Sequence, residues 1–519
     1  MASKIFMGDI PELMEIILNN LNGEFKSLYS CALVSRHWCK IAIPILWRDP
    51  FSFDQKPMFI SRYFSSLNEE DKFIVESYGL NIDFPNTLFY YAKFLKILNL
   101  LCLMDKVEKW IQFKIFGSQE RITLNTVRDN ITNLLFKLFV ESGATLSKLD
   151  FDISNFTIKP KVFYSLGKND HFFSKLQDII ISVETESDFL NIEENDTLLR
   201  ILAKKATKVY TLKLDLFDYI LKPRLYRALA NIIKSQEHLR RFELSCEEGL
   251  QSEFYGVISA LESQRYTLQE IKLDNCAYST EFNVLKNCDK LEELHILNCE
   301  EEELLKVLDT DFCHISTLEI CSYSIDASIL IPILENLGIF LQRLKLYSDN
   351  QEIYTQQLLR TLMIFCPNLT YLYISFIKFS DQLLKFINSL RKLQFLTLSL
   401  IDNGSNDIVK IHVMQLAKIL PLTLQYLDLE INWSCPHIDI LLRHCDAPLK
   451  KLIISKDPDE KKIIDALIGF CVRKKSLIYV NIGRFWILNN FNNNYLNNLK
   501  KNLEVYIKLV PYECIIVNC

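Results

Sequence analysis

At 519 residues the chain is too long for one ordinary compact core, so several domains or a repeat array are expected. Hydrophobic residues at 49% and charged residues at 24% exclude long disordered regions. A formal net charge of -5 with a pI near 6.0 excludes the basic footprint of a nucleic-acid binder. The 15 cysteines are odd in number, and residues 1–12 carry no apolar leader. Reduced thiols in cytoplasm or nucleus are therefore expected, rather than a disulfide framework. The greasiest stretch, Leu88 to Met104, is interrupted by Lys93, Lys96 and Asn99. It falls short of the roughly 20 apolar residues of a membrane span, which makes it buried core.

In chain order, residues 9–51 read as three short helices. Pro11 suits a first helical position, and Glu12 and Glu15 suit the positive end of the helix dipole. Leu13, Ile16, Ile17 and Leu21 then recur at helical spacing. A second helix is expected from about Lys26 to Val34, carrying Leu33. A third runs from about Arg36 to Ile43, stopped near Pro44, with the large apolar Leu46 and Trp47 after it. Residues 52–145 read as a linker with a first irregular repeat. Leu95-Leu98-Leu100 offers a strand, and Val127, Ile131, Leu134, Leu135 and Leu138 offer an amphipathic helix ended near Ser142-Gly143.

From residue 146 to the end one pattern dominates: apolar, two residues, apolar, one residue, apolar. The clearest copies begin at Leu268, Leu291, Ile315, Leu341, Leu369, Leu393, Leu424 and Leu449, and weaker ones at Leu146, Val209, Leu239 and Leu477. Most of the steps from Leu268 onward fall in the roughly 20–29-residue range of leucine-rich repeats. The last two apolar residues of a copy lie two apart, so they share one face of a short strand. Between strands the period turns helical, as in Leu358, Leu359, Leu362 and Phe365. One strand and one helix cannot bury their own apolar face, whereas stacked copies can. The fold class is therefore α/β, a solenoid with a curved parallel sheet inside and helices outside, preceded by the three small helices. Cys276 and Cys299 stand at one fixed repeat position and Cys288 and Cys366 at another, which makes them structural small hydrophobes. The group Cys435, His437, His444 and Cys445 matches no zinc-finger spacing, and no metal or other cofactor is expected.

Two resemblances follow. The segment Cys366-Pro367-Asn368-Leu369 before a strand resembles the cysteine-tolerant leucine-rich repeats often joined to F-boxes. Residues 9–51 resemble the F-box itself in Ile10-Pro11, Glu12-Leu13, Ile16, Leu21, Val34, Ser35-Arg36, Trp38 and Leu46-Trp47. Ile10 replaces the usual Leu, and Ser27-Leu28 replaces the usual Asp-Leu. The resemblance implies a substrate receptor of cullin-type ubiquitin ligases. Its F-box binds a Skp-type adaptor, and through it a cullin, using Ile10, Pro11, Leu13, Ile16, Ile17, Leu33, Trp38, Leu46 and Trp47. Its repeats bind a target protein. An F-box scaffold acting outside ubiquitin ligases is the alternative.

The target surface is expected on the concave face, at the residues two and four places into each copy. Neighbouring strands lie about 4.8 Å apart, so these positions form ladders. They bring Tyr371, Tyr373, Phe395 and Tyr426 into one exposed aromatic patch, flanked by Arg343, Lys345 and Lys451; the alternative is that these cross-strand aromatic pairs only stabilise the sheet. No phosphate loop, nucleophile elbow or HExxH occurs, and no enzyme activity is expected. Neither a nucleic acid nor a membrane is an expected partner.

Overall fold

The computed structural model describes residues 11–80, 86–114, 124–154, 156–184, 192–217, 223–247, 253–299, 304–305, 314–322, 326–348, 355–401, 406–430, 435–454, 460–482 and 503–517. The chain divides into two compact units, Met1–Leu268 and Gln269–Cys519.

The first unit opens with helices α1 (Pro11–Asn19), α2 (Phe25–Ala32) and α3 (Arg36–Leu46). Ser35 caps α3, its Oγ accepting from the Trp38 N–H at 3.2 Å. The three helices close around Leu18, Leu28, Ala32, Ala42, Ile45 and Leu46. Burial of Ile45 and Leu46 in this core carries α3 past Pro44, where the sequence alone predicts a stop. Trp47 then stacks on Tyr91 with ring centroids 4.0 Å apart and meets Tyr63 edge-on at 5.1 Å. The Arg48 carbonyl accepts from the Lys96 and Ile97 N–H groups at 2.9 and 3.0 Å, which ties the end of the helical segment to the start of the sheet.

Among the described residues, five parallel strands follow in chain order: β1 (Ile97–Asn99), β2 (Lys148–Asp152), β3 (Asp178–Glu184), β4 (Thr211–Phe217) and β5 (Arg241–Cys246). The middle apolar residue of each copy stacks on the next, Leu98 on Leu149, Ile179, Leu212 and Phe242 in turn. The long interval between Leu95 and Leu146 holds two helices, Leu100–Lys114 and Leu124–Glu141. Buried Gln264 joins adjacent copies. Its Nε2 donates to the Ile233 and Gln236 carbonyls at 3.0 and 2.9 Å, and its Oε1 accepts from the Leu239 N–H at 3.3 Å. This satisfies backbone groups that burial would otherwise strand.

The described residues of the second unit form ten parallel strands, again neighbouring in chain order: β6 (Glu270–Asp274), β7 (Glu293–Leu297), β8 (Thr317–Ser322), β9 (Arg343–Ser348), β10 (Tyr371–Lys378), β11 (Phe395–Ile401), β12 (Tyr426–Glu430), β13 (Lys451–Ile454), β14 (Tyr479–Ile482) and β15 (Lys508–Leu509). Helices such as Gln356–Phe365, Asp381–Ser389 and Glu460–Lys474 connect them. The short step from Leu268 to Leu291 has room only for the tighter 3-10 turns Thr280–Asn287. After β6 and β7 the chain turns at Asn275 and Asn298, with φ of 54° and 51°, a region Asn tolerates well. The Cys276 N–H then meets the Cys299 sulfur at 3.4 Å, so the cysteine position stacks from copy to copy. Gly338 is required by close approach. A Cβ there would stand 2.4 Å from the Leu334 carbonyl oxygen and 2.8 Å from the Cys366 sulfur of the following repeat. This is a leucine-rich-repeat solenoid fold.

Candidate functional site

Two surfaces carry functional geometry, one in each unit. On the helical segment Ile16 is 62% exposed, Ile17 41%, Leu33 70% and Val34 63%. Large apolar side chains at that exposure in so small a unit are what a partner would bury. The other expected adaptor residues lie elsewhere. Leu13 and Trp38 are half-buried, Ile10 is outside the described residues, and Pro11 opens α1 with its side chain outside them. Leu46 corrects the expectation of a partner contact: it is 5% exposed within the helical core, because α3 continues past Pro44. Trp47 follows α3, stacks on Tyr91 and is half-buried, like Leu13 and Trp38. Val34 belongs on the exposed surface instead. Its sequence signal was its place beside Leu33, just before the capping Ser35.

On the second unit the strand register places the expected ladders side by side. Glu270, Glu293, Thr317, Arg343, Tyr371, Phe395, Tyr426, Lys451 and Tyr479 pair in succession. So do Lys272, His295, Glu319, Lys345, Tyr373, Thr397 and Asp428. The aromatic ladder is continuous, with Tyr371 and Phe395 centroids 6.5 Å apart and Phe395 and Tyr426 6.2 Å. Arg343 lies over the Tyr371 ring at 4.6 Å and Lys345 over the Tyr373 ring at 5.4 Å.

The patch is not open throughout, which corrects the expectation at Tyr371 and Tyr426. These are 2% and 1% exposed because the chain's own C-terminal segment lies on them. After β15 a short helix, Tyr512–Ile515, packs Ile515 against Tyr426 and Ile453, with Val517, Phe395 and Tyr479 around them. The Tyr371 hydroxyl donates to the Val517 carbonyl at 3.3 Å, and the Lys451 ammonium to the Ile515 carbonyl at 3.4 Å. Burial pushes the Tyr426 hydroxyl well above the ordinary tyrosine range, and the neighbouring Asp428 carboxylate adds to the effect. Of the expected target residues, Arg343, Lys345, Tyr373, Phe395 and Lys451 keep partial exposure.

Beside the patch runs an ion chain across three strands. Glu319 pairs with His295 Nδ1 at 2.7 Å and with Lys345 at 2.5 Å. Burial alone would raise the Glu319 carboxyl, but hydrogen bonds from His295 and Lys345 hold it at about 2. Glu270, Glu293 and His295 bring one potential ligand atom each to within 4.8 Å of one another, an arrangement that acidic surfaces often show without an ion.

A family model described as F-box-like matches residues 11–52, the segment that forms α1 to α3. Residues 11–52 are an F-box-like domain. No curated protein matches the chain. Among solved structures, the Rad7 and Elc1 complex in yeast aligns at 14% identity with a TM-score of 0.33, over 80% of this chain and 93% of that one. The leucine-rich-repeat-containing protein LegL7 from Legionella pneumophila aligns at 14% identity and a TM-score of 0.34, over 62% of this chain and 98% of its own. A leucine-rich-repeat protein of Leptospira interrogans aligns at 12% and 0.30, over 73% and 92%. Scores in this range leave those proteins' partners and activities with them. Ile16, Ile17, Leu33 and Val34, with Tyr29 at 52%, are exposed large hydrophobic residues within the F-box-like match. Among the described residues, no helix is long and apolar enough to cross a membrane.

Proposed function

We propose that this chain is a non-catalytic substrate-recognition subunit of a cullin-type ubiquitin ligase. The F-box-like domain, residues 1–51 in this reading, binds a Skp-type adaptor that links it to a cullin. Residues 52–145 support that domain and begin the repeats, and residues 146–519 hold the target protein. The observation that carries the reading is the set of exposed apolar side chains, Ile16, Ile17, Leu33 and Val34, on a domain of this family. Ile10, Pro11, Leu13, Trp38 and Trp47 complete the adaptor set of this reading.

The buried thiols of the repeats fit the structural role read for the repeat cysteines. Burial pushes Cys366 up to about 12 and Cys445 and Cys471 up to about 11, away from the low values that make a cysteine nucleophilic. On the repeats, Arg343, Lys345, Tyr373, Phe395 and Lys451 are the accessible target residues, with Tyr371 and Tyr426 behind the C-terminal segment.

The test is affinity purification of the full chain from cells with and without proteasome inhibition. An adaptor and a cullin should co-purify in both states, and a target should accumulate under inhibition. Adaptor recovery that survives deletion of residues 1–50 would overturn the reading. Adaptor recovery without cullin would assign the chain to scaffolding outside ubiquitin ligases.

A further inference from the structure

The chain's own C-terminal segment shows what the strand face of the second unit can hold. We propose that residues 511–517 occupy the seat of the target protein. The target displaces them with a short stretch of its own that carries an isoleucine, leucine or valine at its centre. The inference rests on the reading that the repeats bind a target, and it names the chemistry that target presents.

Capping the sheet does not explain where the segment lies. β15 pairs in parallel with β14, Lys508 beside Tyr479 and Leu509 beside Val480, and so already covers the edge of β14. The chain then turns back over the face of the sheet and reaches Tyr371 on β10, five strands from β15. An end cap needs only the terminal strand, whereas a guest on the binding face takes the path observed.

The seat takes a main chain and one aliphatic group. Of residues 511–517, Ile515 alone is buried. At 0% exposure it enters a cup of Tyr426 and Ile453, with Phe395 and Tyr479 around it. The Tyr371 hydroxyl donates to the Val517 carbonyl and the Lys451 ammonium to the Ile515 carbonyl. Both acceptors are backbone groups, which any peptide offers. Such bonds orient a guest and leave the choice of guest to the side-chain pocket. A charged side chain in that cup would be stripped of water, which an aliphatic one tolerates. The face itself carries both signs, with Arg343, Lys345 and Lys451 on the same strands as Glu319, Asp428 and Glu430. The guest is therefore read by its aliphatic anchor rather than by net charge.

The segment also fits incompletely. An open cavity of about 440 Å³ remains beside it, bounded by Tyr373, Thr397 and Tyr426 on the sheet and by Tyr512, Ile516 and Val517 on the segment. Protein interiors pack more closely than this, and a gap forfeits the dispersion contacts of its lining. A guest that keeps the anchor and fills the gap makes more contact than the segment does. The segment is tethered and competes at an effective concentration on the order of millimolar, so only a better-fitting guest displaces it.

The experiment is fluorescence anisotropy of a labelled peptide of residues 508–517, carrying Cys514→Ser, with the full chain. The native chain, whose seat is filled, should bind it at least about tenfold more weakly than an Ile515→Asp chain, whose segment has lost its anchor. Ile515→Ser is the second opened chain, should Ile515→Asp fail to fold. Within the peptide, Ile515→Leu or Ile515→Val should hold affinity to within about threefold, and Ile515→Asp should cost tenfold or more. Adding Lys451→Ala to the opened chain should weaken the peptide by roughly fivefold. Target proteins held under proteasome inhibition should be released by the native peptide and not by its Ile515→Asp form.

Four results would overturn the proposal. They are no peptide binding to either opened chain up to about 1 mM, equal binding to native and opened chains, equal binding of the native and Ile515→Asp peptides, and held targets that the native peptide fails to release. Loss of a cooperative melt in both opened chains would overturn it too, by making the segment an obligatory part of the repeat core. The peptide arm requires neither adaptor nor target. Failure of the receptor reading appears as no cullin or target recovered, and failure of the seat as no peptide binding by a chain that still captures both.

Discussion

The F-box-like domain and the strand face of the second unit treat apolar surface in opposite ways. Among the described residues, the domain leaves Ile16, Ile17, Leu33 and Val34 between 41% and 70% exposed. The strand face lays its own C-terminal segment over its most apolar residues and reduces Tyr371 and Tyr426 to 2% and 1% exposure. Exposed apolar groups contribute nothing to the free chain and become stabilising when a partner buries them. Covered ones already contribute, so a partner must displace the cover or bind beside it. The two surfaces therefore differ in what binding costs. The first is ready for a rigid partner, whereas the second is partly satisfied in advance.

The largest expected effect tests the ready surface. Changing Ile16 and Leu33 together to Asp should weaken adaptor binding by on the order of a thousandfold, ~4 kcal/mol, since apolar anchors carry most of an interface. The melting temperature should stay within a degree or two, because both side chains are solvent-exposed. A large drop in melting temperature would show that these residues hold the domain together and erase the contrast.

Next in size is the ion chain on the strand face. Glu319 stands at about 2 in the folded chain against an ordinary 4.5. Its folded value is the lower one, so its contribution is complete above about pH 4.5 and is lost as pH falls toward 2. The shift corresponds to roughly 3 kcal/mol. Urea midpoints of the native chain and Glu319→Gln should differ at pH 6 and converge near pH 2. Parallel curves across that range would refute the assignment.

Removing residues 511–519 should lower stability by about 2 kcal/mol, the worth of burying one large aliphatic side chain such as Ile515. Tyrosine fluorescence quenching by acrylamide should rise as Tyr371 and Tyr426 become accessible. If target capture rises as well, the segment is a competitor for the face; if capture falls, it is part of the binding surface.

The smallest effect isolates one contact. Tyr371→Phe removes the hydroxyl that donates to the Val517 carbonyl and should cost about 1 kcal/mol in thermal unfolding.

Much of this molecule was written locally. Every copy of the repeat signature named from Leu268 to Leu477 became a strand, and the register of β6 to β14 is the one the pattern dictates. The period of two and the recurrence of leucine are properties of neighbouring residues, so a linear reading finds them. β3 carries the same signature in Leu176-Ile179-Ile181, all fully buried, although the copies named from the sequence do not include it. β15 was not legible in the same way, because its two residues, Lys508–Leu509, are too few to show a period.

The sequence by itself determined the repeat architecture, the three helices at the start and the ladders of side chains along the strands. Only the tertiary structure decided which of those side chains are available. Leu46 reads as a free apolar group, but α3 continues past Pro44 and turns it into the helical core. Tyr371 and Tyr426 read as exposed until Ile515 and Val517, distant in sequence, came to rest on them. Periodicity assigns a residue to a face of its own element. Whether another part of the chain covers that face is a long-range packing outcome that no local pattern records.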